Sequence, residues 1–336
     1  MAKDYSSIVV SSRVRLSRCL EGVPFPSKMD SETGNKVVNK VYNAIAEEDD
    51  FKVYKIKDIP QDDAYVLQEK HLISHDLIEN NECGAAFINE AETISIMVNE
   101  EDHIREQCLL GGLNLESAYR LLEKIDKQIC KKIDIAYDVN LGFLTSCITN
   151  VGTGLRVSVM LFLPALTLTN KMNNIIDNLK KNGMTVRGAY GEATDYLGYL
   201  YQVSNERTLG KNDQEYISQI NRIVTQICDL EVEARKQLLI AREAEVIDIV
   251  NRAYGVLTNC YLLSCEEFMK LAGEIKMGIA LNLVRMKDNF IVDKLLASCT
   301  PYSLIKLSGN NITSANEELK FRASYVSKVL KSNRIK

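Results

Sequence analysis

Three kinds of side chain in this 336-residue sequence are spaced for chemistry on a charged group: a cysteine in a glycine-rich loop, closely spaced arginines, and clustered carboxylates. The cysteine is Cys147, in the stretch Asn140 to Arg156, NLGFLTSCITNVGTGLR. A thiol held beside a guanidinium such as Arg156 ionises below its reference pKa of about 8.5 and becomes a polarising anion. The alternative is a small buried hydrophobe, the commoner state of an intracellular cysteine. The arginines are Arg13 and Arg15 in SSRVRLSR, residues 11 to 18. In a strand they share one face, where two fixed guanidinium forks suit phosphate oxygens; a solvated basic edge is the alternative. The carboxylates are Glu100, Glu101 and Asp102, at the end of an alternating apolar run and followed by His103 and Arg105. Adjacent carboxylates repel one another unless they are solvated or meet a cation, here Arg105 or a cationic substrate.

These residues need a scaffold of short strands and longer helices. Leu141, Phe143 and Thr145 alternate as in a buried strand, and Thr149 to Gly154 then supplies turn residues with approachable backbone N–H groups. Residues 84 to 99 read as a hairpin, 156 to 163 as a strand stopped by Pro164, and 184 to 186 and 199 to 204 as further strands. Helical spacing marks residues 31 to 49, 64 to 79, 117 to 133 and 170 to 181, the last ended by Asn182-Gly183. His71 and His75 fall one turn apart on the second of these. Arg187 and Glu192 lie in a glycine-flexed loop, RGAYGE. From Asn212 to about Tyr254 the pattern is one long helix or two abutting ones, with Ile217, Ile220, Val224, Ile227, Leu230, Ala234 and Leu238 along one seam. Helical patterns at 271 to 284 and 316 to 330 follow. The expected fold is α+β, an antiparallel sheet flanked by helices over residues 1–225, with a helical C-terminal domain over 226–336 that is suited to dimerisation or to substrate or adaptor binding.

Composition narrows the class. The apolar content of 46% supports a large core, while a net charge of -4 argues against a general nucleic-acid or anionic-membrane binder. No signal peptide or spanning segment is visible, and nine cysteines without a CxxC pair fit a reduced, cytoplasmic protein. The three histidines lack the spacing of a permanent metal site, so a metal would arrive with the substrate.

Taken together, SSRVRLSR at 11 to 18, VNEEDHIR at 98 to 105, TSCITNVGTGLR at 145 to 156 and RGAYGE at 187 to 192 resemble the ATP:guanidino phosphotransferases. The resemblance covers roughly residues 6 to 215 and is greatest to the bacterial branch that phosphorylates arginine in proteins. It implies that Arg13, Arg15, Arg105, Arg156 and Arg187 surround the ATP phosphates and that His71 contacts the nucleotide. Glu101 would be base and clamp for the acceptor guanidinium, Glu192 would hold its other edge, and Cys147 would polarise it as a thiolate. Magnesium would come with ATP. Creatine- and arginine-type phosphagen kinases carry a helical domain before the SSRVR motif; only ten residues precede it here, which is expected to open the pocket to an arginine on a protein.

The resemblance further implies a zinc-finger activator adaptor, a Clp protease system that removes marked proteins, inactivation of a stress regulator, and a homodimer. Ile148 departs from the usual Pro after the cysteine, and Gln202 replaces the Asp of phosphagen kinases. Glu318 to Ala323 lacks the leading Arg-Asp of the branch's phosphoarginine-binding motif. A kinase for free arginine or another small guanidino compound is the alternative enzyme, and a non-catalytic nucleotide-binding scaffold the alternative of another class.

Overall fold

The computed structural model describes residues 4–46, 51–79, 82–188 and 196–335. Its centre is an eight-stranded sheet in the order β2-β3-β4-β5-β1-β8-β10-β9, antiparallel at every pairing. The strands are β1 (Val9–Arg18), β2 (Phe51–Lys55), β3 (Ala85–Asn89), β4 (Ile94–Val98), β5 (Ile104–Gly111), β8 (Leu155–Phe162), β9 (Met184–Gly188) and β10 (Leu200–Asn205); β6 (Tyr137–Asp138) and β7 (Gly142–Phe143) form a separate small hairpin. The helices are α1 (Ser31–Ile45), α2 (Gln61–Glu69), α3 (His75–Glu79), α4 (Leu115–Lys132), α5 (Pro164–Leu168), α6 (Met172–Lys181), α7 (Asp213–Asn259), α8 (Cys265–Ala280), α9 (Ile291–Ser298), α10 (Pro301–Leu307) and α11 (Ala315–Asn333).

Period-two alternation assigns the sheet two faces. On β1, Val14 and Leu16 enter the main core with Val157 and Val159 of β8 and Ile104 and Cys108 of β5, covered by α4 and α1. The odd residues Arg13 and Arg15 face the other way. At the β3–β4 end that second face is covered by α2 and α3, which bury Leu67, Leu72 and Leu77 against Ala86, Ile88 and Met97. The middle of the face borders a cleft whose far wall includes Cys265 and Met269 of α8.

Helix α7 starts in a capping box, Asn212 accepting from Glu215 N while the Glu215 side chain accepts from Asn212 N, and runs to Asn259 with one non-helical residue, Arg242. Its expected seam is buried except for Leu230, and it packs inside this chain against α5, β8, β10, α8 and α11. Buried Glu231 accepts from Ala165 N and Leu166 N and pairs with Arg235, fastening α7 to α5. Among the described residues no helix is long and apolar enough to cross a membrane.

Two local expectations are corrected. Residues 64–79 are not one helix: α2 ends at Glu69, His71 takes a positive φ of 60°, and Leu72 N bonds to Leu67 O while His71 N bonds to Gln68 O. That is a Schellman stop, so His71 and His75 do not share a helical face. The run Leu141 to Thr145 is not a buried strand. Asp138 accepts from Asn140 N and Leu141 N in a side-chain turn, Gly142 has φ of 79°, and Leu141 is 46% exposed.

Candidate active site

The open face of the sheet gathers the arginines that the sequence separates. Arg15 on β1 stands opposite Arg156 on β8 and Gln107 on β5, and Arg13 stands opposite Ser158. Arg105 lies on β5 between Met97 and Ser17. Arg187, on β9, is opposite Gln202 and exposed. Arg13 donates to Gln202 Oε1 at 3.2 Å and Ser158 Oγ at 3.5 Å, and Arg156 to Ser204 Oγ at 3.4 Å. These partners are neutral. Burial and the charges of Arg105 and Arg156 push Arg13 down to about 10; Arg15 is pushed well below its ordinary value by burial and by Arg105, Arg13 and Arg156. Like charges held this close favour an incoming polyanion.

One anion is built in. Buried Glu100 pairs with Arg105; burial alone would raise the Glu100 pKa, but the guanidinium holds it below the usual carboxylate range. The next residue points outward. Glu101 is exposed, and its carboxyl is raised by partial burial and by the nearby charges of Asp102 and Glu100, against a hydrogen bond from Cys147 and the charge of Arg105. Cys147 Sγ also lies 3.1 Å from Thr149 Oγ1. Glu101 and Cys147 thus meet at the edge of the arginine row, a basic carboxylate beside a sulfur.

Asp102, whose role sequence reasoning missed, ties the two together. It is buried and accepts from Ser146 N at 2.6 Å, Asn150 Nδ2 at 3.2 Å and Cys19 Sγ at 3.3 Å. The cysteine loop is therefore hung on the same turn that carries Glu101. Its glycines are required by space: a Cβ on Gly152, at φ 119°, would stand 2.4 Å from Thr208 O, and one on Gly154 2.5 Å from Ser17 O. Three of the loop amides expected to be approachable are taken: Val151, Gly152 and Thr153 N–H bond to Ile148 O, Phe143 O and Thr208 O.

His71 stands beside a cleft of about 1070 Å³ that also touches Arg13, Arg105 and Gln107. Gln107 Nε2 holds its carbonyl, and burial of the ring with the charge of Arg13 pushes the imidazole down to about 4, so it is neutral at pH 7. Gln107 was also missed, although its two-residue spacing from Arg105 marks the same strand face. Glu192 lies outside the described residues. No group of three potential metal ligands is found among the described residues. Arg322, in the altered C-terminal motif, is buried and bonds Cys299 O, Leu263 O and Glu318, which makes it a staple of the helical part.

A sheet face that concentrates guanidinium groups, ending at a carboxylate and a thiol, suits phosphoryl transfer to a nitrogenous acceptor. A family model described as the ATP:guanido phosphotransferase C-terminal catalytic domain matches residues 32–234, and one described as the protein-arginine kinase McsB C-terminal domain matches 243–336. The protein-arginine kinase of Caldanaerobacter subterraneus subsp. tengcongensis is 42% identical over 325 residues, 95% of this chain and 96% of that protein. That of Halothermothrix orenii is 41% identical over 315 residues, 93% and 90% of the two chains. Lombricine kinase superposes with a TM-score of 0.60 and 25% identity, covering 70% of this chain and 68% of its own. The substrate-free duplicated taurocyamine kinase of Schistosoma mansoni superposes at 0.62 and 26% identity over 79% of this chain, which spans only 39% of that duplicated protein. The chain belongs to the ATP:guanido phosphotransferase family, in its protein-arginine kinase branch.

Proposed function

We propose that this chain transfers the γ-phosphoryl group of ATP to arginine side chains of proteins, with the following division of labour. Arg13, Arg15, Arg105, Arg156 and Arg187 hold the phosphates, and His71 meets the nucleotide; magnesium travels with ATP. Phosphoryl transfer is governed by positioning and by compensation of charge on the equatorial oxygens, which a fixed guanidinium row supplies. The acceptor guanidinium has a pKa above about 12 and needs a base to free an attacking lone pair. Glu101 takes that proton as the N–P bond forms and the bond to the ADP oxygen breaks. Cys147 lies against the guanidinium and orients it, and Glu192 holds its other edge. The single observation that carries this reading is the arginine row ending at the Glu101–Cys147 contact.

The same reading extends outward from the site: the chain works in the cytoplasm as a homodimer, answers to a zinc-finger adaptor, marks proteins for a Clp-type protease and inactivates a stress regulator. The first experiment is incubation with Mg-ATP and either an arginine-bearing protein or free arginine, read by mass spectrometry without acid, which would hydrolyse the phosphoramidate. Glu101→Gln is expected to lose about 10²- to 10⁴-fold in turnover while still binding ATP. Transfer to free arginine alone would reassign the substrate, and full activity in Glu101→Gln would remove the base.

A further inference from the structure

The catalytic sheet does not enclose its own cleft. The cavity beside Arg13, His71 and Arg105 is walled on its far side by Cys265 and Met269 of α8 and by Thr300 and Tyr302. A second hollow of about 470 Å³, on the Gln202 side of Arg13, is walled by Leu296 and Ala297 of α9 and again by Thr300. Arg13, Glu69, His71 and Thr300 line both. A triphosphate on the arginine row carries a nucleoside with it, and the spaces beside Arg13 have the size of small-molecule pockets.

Helix α2, which delivers His71, is gripped from the C-terminal side along its length. Glu69, its last residue, accepts four hydrogen bonds from the start of α10: Thr300 Oγ1 at 2.7 Å, Tyr302 N at 2.9 Å, Ser303 N at 2.7 Å and Ser303 Oγ at 2.8 Å. Tyr65 stacks on Tyr302 with ring centres 4.4 Å apart and planes at 15°. Asp63 pairs with Lys306 at 2.7 Å, a half-exposed contact that adds little. Charge-assisted bonds to backbone N–H groups are the strong members of this set. They end two residues before His71, which takes a left-handed backbone at the stop of α2 and lines the cleft.

We propose that Glu69 and α10 form a latch through which the C-terminal helices complete the nucleoside end of the ATP site, with Glu69 as a positioning residue for His71. Docking of α9–α10 and binding of nucleotide are then linked equilibria, each favouring the other by the same factor. A partner that seizes the C-terminal helices would change ATP affinity without touching the arginines. The inference rests on the reading that the arginine row takes the triphosphate, and its test needs no phosphoryl transfer.

ATP is titrated calorimetrically into the full chain and into Glu69→Ala and Tyr302→Ala, and amide hydrogen exchange of residues 301–307 is followed with and without ATP. Glu69→Ala and Tyr302→Ala are expected to bind ATP about tenfold more weakly, within the usual range of coupling between sites. ATP slows exchange in α10 of the wild type and fails to do so in Glu69→Ala. Should Glu69→Ala not fold, Tyr302→Ala carries the same comparison. A folded variant with wild-type ATP affinity, or wild-type α10 indifferent to ATP, overturns the latch. Absence of ATP binding by the wild type overturns the phosphate reading as well, whereas latch-dependent binding without transfer overturns only the kinase chemistry proposed above.

Discussion

Arg15 and Arg18 sit three residues apart on one strand and have opposite fates. Arg18 points into the core, where Nε and Nη2 bond the two oxygens of Asp126 at 2.9 and 2.8 Å, Nη1 reaches Ser17 O and Thr153 O, and the Phe143 ring lies 3.7 Å from the guanidinium carbon. Burial opposes its charge, but Asp126 keeps its pKa above the ordinary value. Arg15 points to the open face, where its nearest charges are largely other arginines. A buried cation with its anion beside it is a structural bolt; a cation whose nearest charges are mostly other cations stores repulsion that a polyphosphate relieves. The odd spacing between the two residues is what sends them to opposite faces.

The comparison breaks most visibly at Arg18. Arg18→Met leaves Asp126 without its cation and is expected to cost about 3–5 kcal/mol of stability, read by urea unfolding. Arg15→Met should do the reverse: the unliganded fold is no less stable, because repulsion is relieved, while turnover falls about 10²- to 10³-fold and the rise in Tm on adding ATP shrinks. Equal destabilisation by the two substitutions would erase the distinction between the faces. A smaller effect tests the Glu101 end of the row. Asp102→Ala leaves Ser146 N and Asn150 Nδ2 without an acceptor, at about 1–3 kcal/mol, and frees the Cys147 loop. Its KM for the arginine substrate should rise more than its KM for ATP; a parallel rise would make Asp102 a general structural residue.

The faces were legible in the sequence because strand alternation is local: Arg13 with Arg15, the hairpin at 84–99, the stop at Asn182-Gly183 and the long helix after Asn212 each follow from neighbouring residues. The pairing of Glu100 with Arg105 was anticipated as a need for a cation. Features that depend on distant chain were not legible. Nothing near Glu69 announces four donors from residues 300–303, and nothing near Asp102 announces Ser146 or Asn150. The break at His71 was hidden because it has no glycine or proline; a histidine there adopts the left-handed conformation usually left to glycine. The run around Leu141 misled for the opposite reason, since its alternation is strand-like while Asp138 and Gly142 bend it into a turn. Helices α9 and α10 are short, and their packing, more than their pattern, defines them.

The finest difference between the faces lies in a proton. Beside Arg18, buried Glu106 has no donor to either carboxylate oxygen and faces Asp126. Burial together with the Asp126 charge raises Glu106 well above the ordinary carboxylate range, with Arg18 opposing. A folded-state pKa above the unfolded value means that this group's contribution is fully present below the unfolded pKa and is lost as pH rises towards the folded one. Glu106→Gln is uncharged at every pH, so it removes that loss. The variant should match the wild type in acid and exceed it in neutral buffer by on the order of 1 kcal/mol, the scale of a one-unit difference in pKa. Urea midpoints across pH test this directly, and a gap between variant and wild type that stayed constant with pH would mean that Glu106 is charged in the fold, leaving Arg18 to balance two carboxylates instead of one.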